Sequence, residues 1–189
     1  MSKAVLISIR PKWCEKIVNG EKTVEVRKTR PKMKTPFKCY IYCTRDKHLA
    51  LIQNRAGANL IACMDAETAI PVGGFAGNGK VIGEFTCDRI YELETKAPGG
   101  SYYVKGEDQP TTNDVARQSC LGLGDMHAYL KSKTGYGLHI SQMKLYDTPR
   151  ELSEFTGLRD TRFGAEPYKF KRPPLSWMYV QEVEKEDEV

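Results

Sequence analysis

Charged side chains that could bind a ligand are concentrated in one short segment, Gly20-Glu21-Lys22-Thr23-Val24-Glu25-Val26-Arg27. Lysine and arginine can hold phosphates or the edge of a nucleobase, and a glutamate can orient those cations or accept hydrogen bonds. The segment predicts a β-strand, in which successive side chains point to opposite faces. The two valines are then expected to enter the core, while Thr23, Glu25 and Arg27 share the other face, beside Lys22. We therefore predict a polar row that faces a cleft or solvent.

The same residues have a simpler interpretation as a solvated ion pair. Glu25 and Arg27 stand two apart on one strand, and an exposed pair of this kind stabilises a protein by only about 0–1 kcal/mol. The charge around the segment favours a binding site instead. Residues 1–48 carry 13 lysines and arginines against 4 acidic residues, a net charge of +9, whereas the whole chain has +5. The basic run 27–34 suits phosphates, although a basic loop also protects strand edges.

Short strands separated by helices and loops are expected to position this segment. A helix is predicted to begin at Pro11, because proline suits a first helical position, and to end at Asn19-Gly20. Residues 44–79 settle into no single period, although Leu49 to Ala69 is compatible with a short helix. Strands are predicted at 5–9, 37–43, 80–86, 136–146 and 176–180, and short helices at about 112–120 and 125–133.

The C-terminal third contains one more helix signal and one long loop. Thr148-Pro149-Arg150-Glu151 has the form of a capping box with proline at the first helical position, and predicts a brief helix that ends near Gly157. Residues 158–175 are predicted to be an irregular loop. These strands with helices inserted between them indicate the α+β class.

One loop comes close to a known phosphate-binding motif without completing it. Gly74, Gly79 and Lys80 have the spacing of a P-loop, but Val81 stands where that motif needs serine or threonine for magnesium. The residues after Lys80 also predict a strand, whereas a P-loop opens a helix. Nucleotide hydrolysis at this loop is therefore excluded.

Composition narrows the remaining classes of function. The chain has 189 residues, of which 40% are hydrophobic and 28% charged, as is usual for a globular protein. It has no apolar run long enough for a membrane helix and no secretory leader, so we expect a cytoplasmic protein without membrane association. The six cysteines are scattered and none forms a zinc motif with a histidine, so no metal and no cofactor are predicted.

The string from Ser8 to Arg27 resembles the opening of the ASCH domain, whose hallmark G-x-K-x-x-E-x-R is matched by Gly20, Lys22, Glu25 and Arg27. Residues 137–140 and 173–180 also look like the longer ASCH proteins of phages and prophages. The resemblance implies a PUA-like fold, a small mixed β-barrel with short flanking helices, which the first, motif and last strands would close. We expect one domain over residues 1–184, with an insert or long loop at 44–79 and an acidic tail at 185–189.

The resemblance further implies that the protein binds RNA or a nucleotide-like ligand, such as a modified nucleotide, in a cleft beside the motif strand. Aromatic side chains would stack on bases, and the candidates are Tyr102, Tyr103, Tyr168 and Trp177. The predicted ligand-binding residues are Arg10, Lys22, Thr23, Glu25, Arg27, Lys28 and Arg30.

Two other functions remain open at this stage. One is a metal-independent hydrolase acting on RNA or a modified nucleoside, either a ribonuclease or an N4-acetylcytidine amidohydrolase, with Lys22 and Glu25 as its catalytic residues. One small ASCH branch resembles such an amidohydrolase and uses a lysine, a threonine and a glutamate; this sequence matches the lysine at Lys22, but Glu25 stands in the place of that threonine. The other is a phage or host protein-interaction module, whose protein partner the sequence does not identify.

Overall fold

A computed structural model describes residues 2–55 and 58–183 of the chain. The predicted acidic tail at 185–189 lies outside the described residues. The fold is α+β, as expected, and rich in strands. The helices are α1 Pro11–Val18, α2 Thr112–Gln118 and α3 Leu123–Leu130, with a 3-10 turn at Leu152–Glu154. The strands are β1 Lys3–Ile9, β2 Val24–Arg27, β3 Phe37–Cys43, β4 His48–Arg55, β5 Ala58–Asp65, β6 Gly74–Ala76, β7 Val81–Thr95, β8 Tyr102–Val104, β9 Gly135–Arg150, β10 Thr156–Thr161, β11 Gly164–Lys169 and β12 Trp177–Gln181.

The chain divides into two compact units, which we name by their contents. The terminal unit contains both ends of the chain and comprises Met1–Glu15, Lys38–Phe85 and Lys144–Val189. The motif unit contains the G-x-K-x-x-E-x-R segment and comprises Lys16–Phe37 and Thr86–Met143. The expectation of one domain over 1–184 with an insert at 44–79 stays a prediction.

The terminal unit has its main sheet around β1. This strand pairs in parallel with β3 and antiparallel with β12, and β12 continues to β10 and its hairpin partner β11. The strand β3 also lies next to the start of β7, where Cys43 N donates to Lys80 O at 2.9 Å. Apolar side chains of these strands pack into one core, in which Tyr40 meets Phe155 edge to face with ring centroids 5.0 Å apart. The strands predicted at 37–43 and 176–180 are confirmed within one residue.

A second sheet in the terminal unit occupies the region between Leu49 and Ala69, which we considered compatible with a short helix. No helix forms in the described part of this region, because β4 and β5 form an antiparallel hairpin and β6 pairs with the other edge of β4. Residues 49–52 are all at most 9% exposed, so both faces of β4 are covered. A strand buried on both faces loses the alternation of apolar and polar residues that would have identified it.

Two predictions for the C-terminal third are wrong. The strand β9 continues to Arg150, through the residues that resembled a capping box, and the capping box instead joins Glu151 and Glu154 around the 3-10 turn. The loop predicted at 158–175 contains the β10–β11 hairpin, whose register runs from Thr156 opposite Lys169 to Thr161 opposite Gly164. Only its last part, after Lys169, is irregular.

The motif unit is built on the pairing of β2 with β9, and β9 lies next to β7, which carries β8 on part of its length. The helices α2 and α3 lie where the sequence predicted them. Thr111 caps α2 through its side chain, which accepts a hydrogen bond from Asp114 N. The core of this unit consists of Val24, Val26, Tyr91, Leu93, Tyr102, Val115, Met126 and Leu130.

The strand pairings test the predicted barrel only in part. The first and last strands, β1 and β12, do pair, whereas the motif strand β2 pairs with β9. Among the described strands these pairings do not form a closed ring, so the PUA-like barrel stays a prediction. In the same part of the chain, none of the helices has the length and apolar character that a membrane crossing requires.

Candidate nucleic-acid interface

The motif strand separates its two kinds of side chain as the sequence predicted. Val24 and Val26 enter the core of the motif unit. Glu25 lies opposite Leu138 on β9, and Arg27 lies opposite Tyr136. Directly paired residues of an antiparallel sheet share a face, so Glu25, Arg27 and Tyr136 lie together on the face away from that core.

Lys22, Glu25 and Arg27 form a buried ionic triad on this face. Glu25 Oε2 lies 3.1 Å from Lys22 Nζ, and Glu25 Oε1 lies 2.9 Å from Arg27 Nε. The three residues are 2%, 7% and 9% exposed, respectively. One carboxylate therefore lies between two cations. The three side chains together carry one net positive charge. The solvated ion pair that we considered from the sequence is not what forms here.

The position of Lys22 is fixed by the end of α2. Its Nζ donates to Ser119 O at 2.7 Å, and Ser119 is fully buried. The neighbouring backbone is held as well, because Thr23 N donates to Gln118 O at 2.8 Å and Thr23 O accepts from Ile140 N at 2.8 Å. Thr23 is thus tied to α2 on one side and to β9 on the other. These bonds hold the triad in a fixed geometry.

Two further cations of the basic run lie outside the triad, each over a tyrosine ring. Lys28 Nζ lies 4.9 Å from the ring centroid of Tyr129, and Arg30 Cζ lies 5.7 Å from that of Tyr136. Lys28 and Arg30 are exposed, Tyr129 is 39% exposed and Tyr136 is half-buried. Together these four side chains, which we call the outer tyrosine–cation pairs, present both positive charge and aromatic surface.

The outer pairs and the triad are electrostatically linked through Tyr129. Burial raises the pKa of the Tyr129 hydroxyl, the positive charge of Arg27 opposes that rise, and the negative charge of Glu25 adds to it. The phenol therefore stays neutral at ordinary pH and can donate a hydrogen bond. A neutral donor beside cations suits a phosphate or a carbonyl oxygen of a base.

The remaining residues predicted for the site are more scattered. Arg10 belongs to the terminal unit, is exposed, and accepts at its backbone oxygen the first hydrogen bonds of α1, from Trp13 N and Cys14 N. Tyr102 is 5% exposed and its hydroxyl donates to Lys133 O at 2.9 Å, so this ring belongs to the core and has no face open for stacking. Tyr103 is exposed and donates to Glu94 at 2.9 Å. Tyr168 and Trp177 lie in the terminal unit.

Sequence reasoning missed three residues of the site, which are Ser119, Tyr129 and Tyr136. Each is remote from the motif along the chain and meets it only through the end of α2, through α3 or through the register of β9. Tyr136 was recognised as the start of a strand, but its partner Arg27 follows only from knowing which strands pair. No local signal marks Tyr129.

Comparison with known proteins agrees with this architecture. Residues 7–90 match the family model of the ASCH domain, and this range includes the whole motif segment. No curated protein sequence matches the chain.

Solved structures of ASCH proteins share the fold. The chain is similar to the crystal structure of ASCH from Zymomonas mobilis, with a TM-score of 0.55 and 16% identity, covering 95% of this chain and 88% of that one. A mutant of the same Zymomonas mobilis protein also matches, with a TM-score of 0.55, 16% identity, and coverage of 95% and 89%. At 16% identity, this structural similarity establishes the fold alone.

Neither unit offers an evident metal centre in its described part, where no three histidine, cysteine or acidic side chains are grouped closely enough to hold an ion. His139 binds Asp88 through Nδ1 at 2.6 Å. The side chains at the ASCH motif supply cations, a carboxylate, a neutral phenol and aromatic faces.

Proposed function

We propose that the motif unit binds single-stranded RNA or a nucleotide-like ligand through the outer tyrosine–cation pairs, with the ionic triad as their rigid base. The observation that carries this proposal is the placement of Lys28 over Tyr129 and of Arg30 over Tyr136 beside a buried, net-positive triad. Cationic grooves lined by aromatic rings are the common solution for binding single strands.

The roles of the predicted residues differ in this proposal. Lys28 and Arg30 are exposed and have freedom to reach phosphates, whose contacts dominate affinity and make it salt-dependent. Tyr129 and Tyr136 offer ring surface for bases. Lys22, Thr23, Glu25 and Arg27 would act mainly by fixing β2 and by adding positive potential, with Arg27 the member of the triad beside both tyrosines.

Titration with a single-stranded RNA of about ten nucleotides, which matches the site sizes of small binding domains, tests the proposal. We expect saturable binding at low salt. Tyr129→Ala is expected to weaken it by about 1–3 kcal/mol, and Tyr129→Phe to keep most of it, because the ring supplies the stacking. The double variant Lys28→Ala/Arg30→Ala should lower the slope of log affinity against log salt by about 1.4, since two phosphate contacts are lost.

A matched control is available in the same unit. Lys96 is an exposed lysine with its Nζ 5.9 Å from the ring centroid of Tyr103, so Lys96→Ala also removes one cation from above a tyrosine. This variant should bind RNA as the wild type does. No binding at low salt, or equal losses in Lys96→Ala and Lys28→Ala, would contradict the proposal.

Other expectations from the sequence stay predictions. A hydrolase with Lys22 and Glu25 as catalytic residues would need these side chains to reach a substrate, and in the structure they bind each other and Ser119. Cleavage or deacetylation products detected by mass spectrometry, and lost in Lys22→Ala, would support it. The phage-type subgroup, the cytoplasmic location and a protein partner likewise stay predictions.

A further inference from the structure

The terminal unit contains an open cavity of about 700 Å³ with a positively charged wall. We call it the basic cavity. It is formed where β3 ends, where the loop before β7 turns, and where the segment between β11 and β12 passes. Its volume lies within the range of about 300–1,000 Å³ that small-molecule sites occupy. The side chains on which the argument depends are Tyr42, Arg45, Glu151, Phe170, Lys171 and Arg172.

The charges around the basic cavity do not cancel. Arg45, Lys171 and Arg172 are exposed, and among the residues that the structure describes none of them forms an ion pair. The carboxylate on the cavity wall, Glu151, lies 2.9 Å from Lys80 Nζ, so its charge is already balanced. Three cations therefore surround an open volume without an internal counter-charge, which is the electrostatic condition for anion binding.

The walls of the cavity are held in place. Ser8, at the end of β1, donates from Oγ to Pro174 O at 2.6 Å and from its backbone nitrogen to Ser176 O at 2.9 Å. Thr44 N donates to Ile9 O at 2.8 Å, which fixes the start of the loop that carries Arg45. The two basic segments are thus both attached to the same central strand. A site with fixed walls loses less entropy when a ligand binds.

The turn at Gly79 leaves space for the guanidinium of Arg45. Gly79 has φ of +79°, and a Cβ at this position would lie 3.0 Å from Arg45 Nε. The absence of a side chain lets Arg45 lie directly over this turn. The loop that resembled a P-loop therefore does contribute to a cavity, by its glycine and not by the chemistry of that motif.

The cavity lining also includes aromatic and aliphatic side chains. Tyr42 is buried with its pKa raised, first by burial and against the opposing charge of Arg45, so its hydroxyl stays neutral. Phe170 is half-buried, and Leu175 is 96% exposed. A lining that combines cations with aromatic and aliphatic groups matches a ligand that has both a phosphate and a flat apolar ring system.

We infer that the basic cavity binds a nucleoside monophosphate unit, with Arg45, Lys171 and Arg172 on the phosphate and Phe170 on the base. This ligand is either a free nucleotide or the 5′-phosphorylated end of an RNA strand. The inference is independent of RNA binding by the motif unit, because it uses none of the residues of that site.

The test is a calorimetric titration of the whole protein. The ligands are each of the four ribonucleoside 5′-monophosphates, adenosine, and a dinucleotide that carries or lacks a 5′-phosphate. Saturable binding of a monophosphate, weakened about tenfold in Arg45→Ala and in Arg172→Ala, is expected, because charge-assisted bonds to phosphate are lost. Adenosine should bind at least about tenfold more weakly than adenosine monophosphate. Binding only of the 5′-phosphorylated dinucleotide would assign the strand end as the source.

Arg162→Ala is the matched control, since Arg162 is an exposed arginine of the same unit that packs on Phe163 with Cζ 4.6 Å from its ring centroid. It should leave nucleotide affinity unchanged. The inference is overturned if no monophosphate and no phosphorylated dinucleotide binds, or if Arg162→Ala weakens binding as much as Arg172→Ala. Thermal melting of each variant verifies that it is folded.

Discussion

Two clusters of positive charge in this molecule are built in opposite ways. In the motif unit, Lys22 and Arg27 are buried and share the carboxylate of Glu25. In the terminal unit, the three cations of the basic cavity are exposed, and among the described residues they have no acidic partner. The first cluster is costly to disturb and little accessible to a ligand, whereas the second is accessible and contributes little to stability.

This contrast indicates which role the ASCH hallmark residues have in this chain. The residues of G-x-K-x-x-E-x-R that looked like a binding row serve first as an internal brace, because Lys22 joins β2 to the end of α2. The side chains that remain available for a ligand, Lys28 and Arg30, follow the hallmark by one and three residues. A motif can thus mark the place of a site while most of its charged members support the fold.

The largest expected effect is on the buried triad. Glu25→Gln keeps the size of the side chain but removes the buried carboxylate that Lys22 and Arg27 share, so we expect a loss of about 3–5 kcal/mol in the free energy of unfolding. The comparison is Glu151→Gln in the terminal unit, where the side chains of the Lys80–Glu151 pair are 37% and 59% exposed. This second change should cost less than about 1 kcal/mol.

Urea unfolding at neutral pH measures both variants against the wild type. If Glu25→Gln and Glu151→Gln lower the free energy of unfolding by equal, small amounts, the buried triad does not stabilise the fold as we expect. A loss confined to Glu25→Gln supports the contrast between the two clusters.

A smaller effect is expected at the turn beside the basic cavity. Gly79→Ala places a side chain at φ of +79° and crowds Arg45, so stability should fall by about 1–2 kcal/mol. Gly124→Ala is the control, because Gly124 lies in α3 with open space around its Cα, and alanine there should not destabilise the protein. Thermal unfolding of the two variants provides the measurement, and equal melting temperatures would show that the turn is not constrained.

The smallest effect concerns the Asp88–His139 pair of the motif unit. Burial raises the pKa of Asp88, but the hydrogen bond and charge of His139 outweigh it, so the pKa falls below its ordinary value of 3.8. A carboxyl whose pKa is lower in the folded state stabilises the protein above the unfolded value, and this contribution disappears as the pH falls through the folded value. Asp88→Asn should therefore cost less than about 1 kcal/mol at about pH 6 and nothing at about pH 2. A constant difference across this range would disprove the linkage.

The local signals in the sequence predicted much of the fold. Proline at position 11 and glycine at 20 bounded α1, and the dense β-branched and aromatic run at 37–43 identified β3. The failures have a common physical origin, since β4 is covered on both faces and the hairpin of β10 and β11 is mostly exposed. Neither strand shows the half-buried alternation on which sequence reasoning depends.

Only those residues of the candidate site that lie close together in the sequence could be predicted. The hallmark identified Lys22, Glu25 and Arg27, and the alternation on β2 correctly separated Glu25 and Arg27 from the valines. Their burial and their partners depend on strand register and on the position of α2, which tertiary packing determines. For the same reason the cavity around Arg45 and Arg172, more than a hundred residues apart in sequence, had no local signature.

The most direct test of the central claim is a series of two-dimensional ¹H–¹⁵N NMR spectra recorded while single-stranded RNA is added. We expect the amide signals of residues 28–30, Tyr129 and Tyr136 to shift first and to saturate together. These shifts should be lost in Lys28→Ala/Arg30→Ala and kept in Lys96→Ala. RNA-dependent shifts that leave these residues unchanged and appear only elsewhere would contradict the claim that the tyrosine–cation pairs of the motif unit bind RNA.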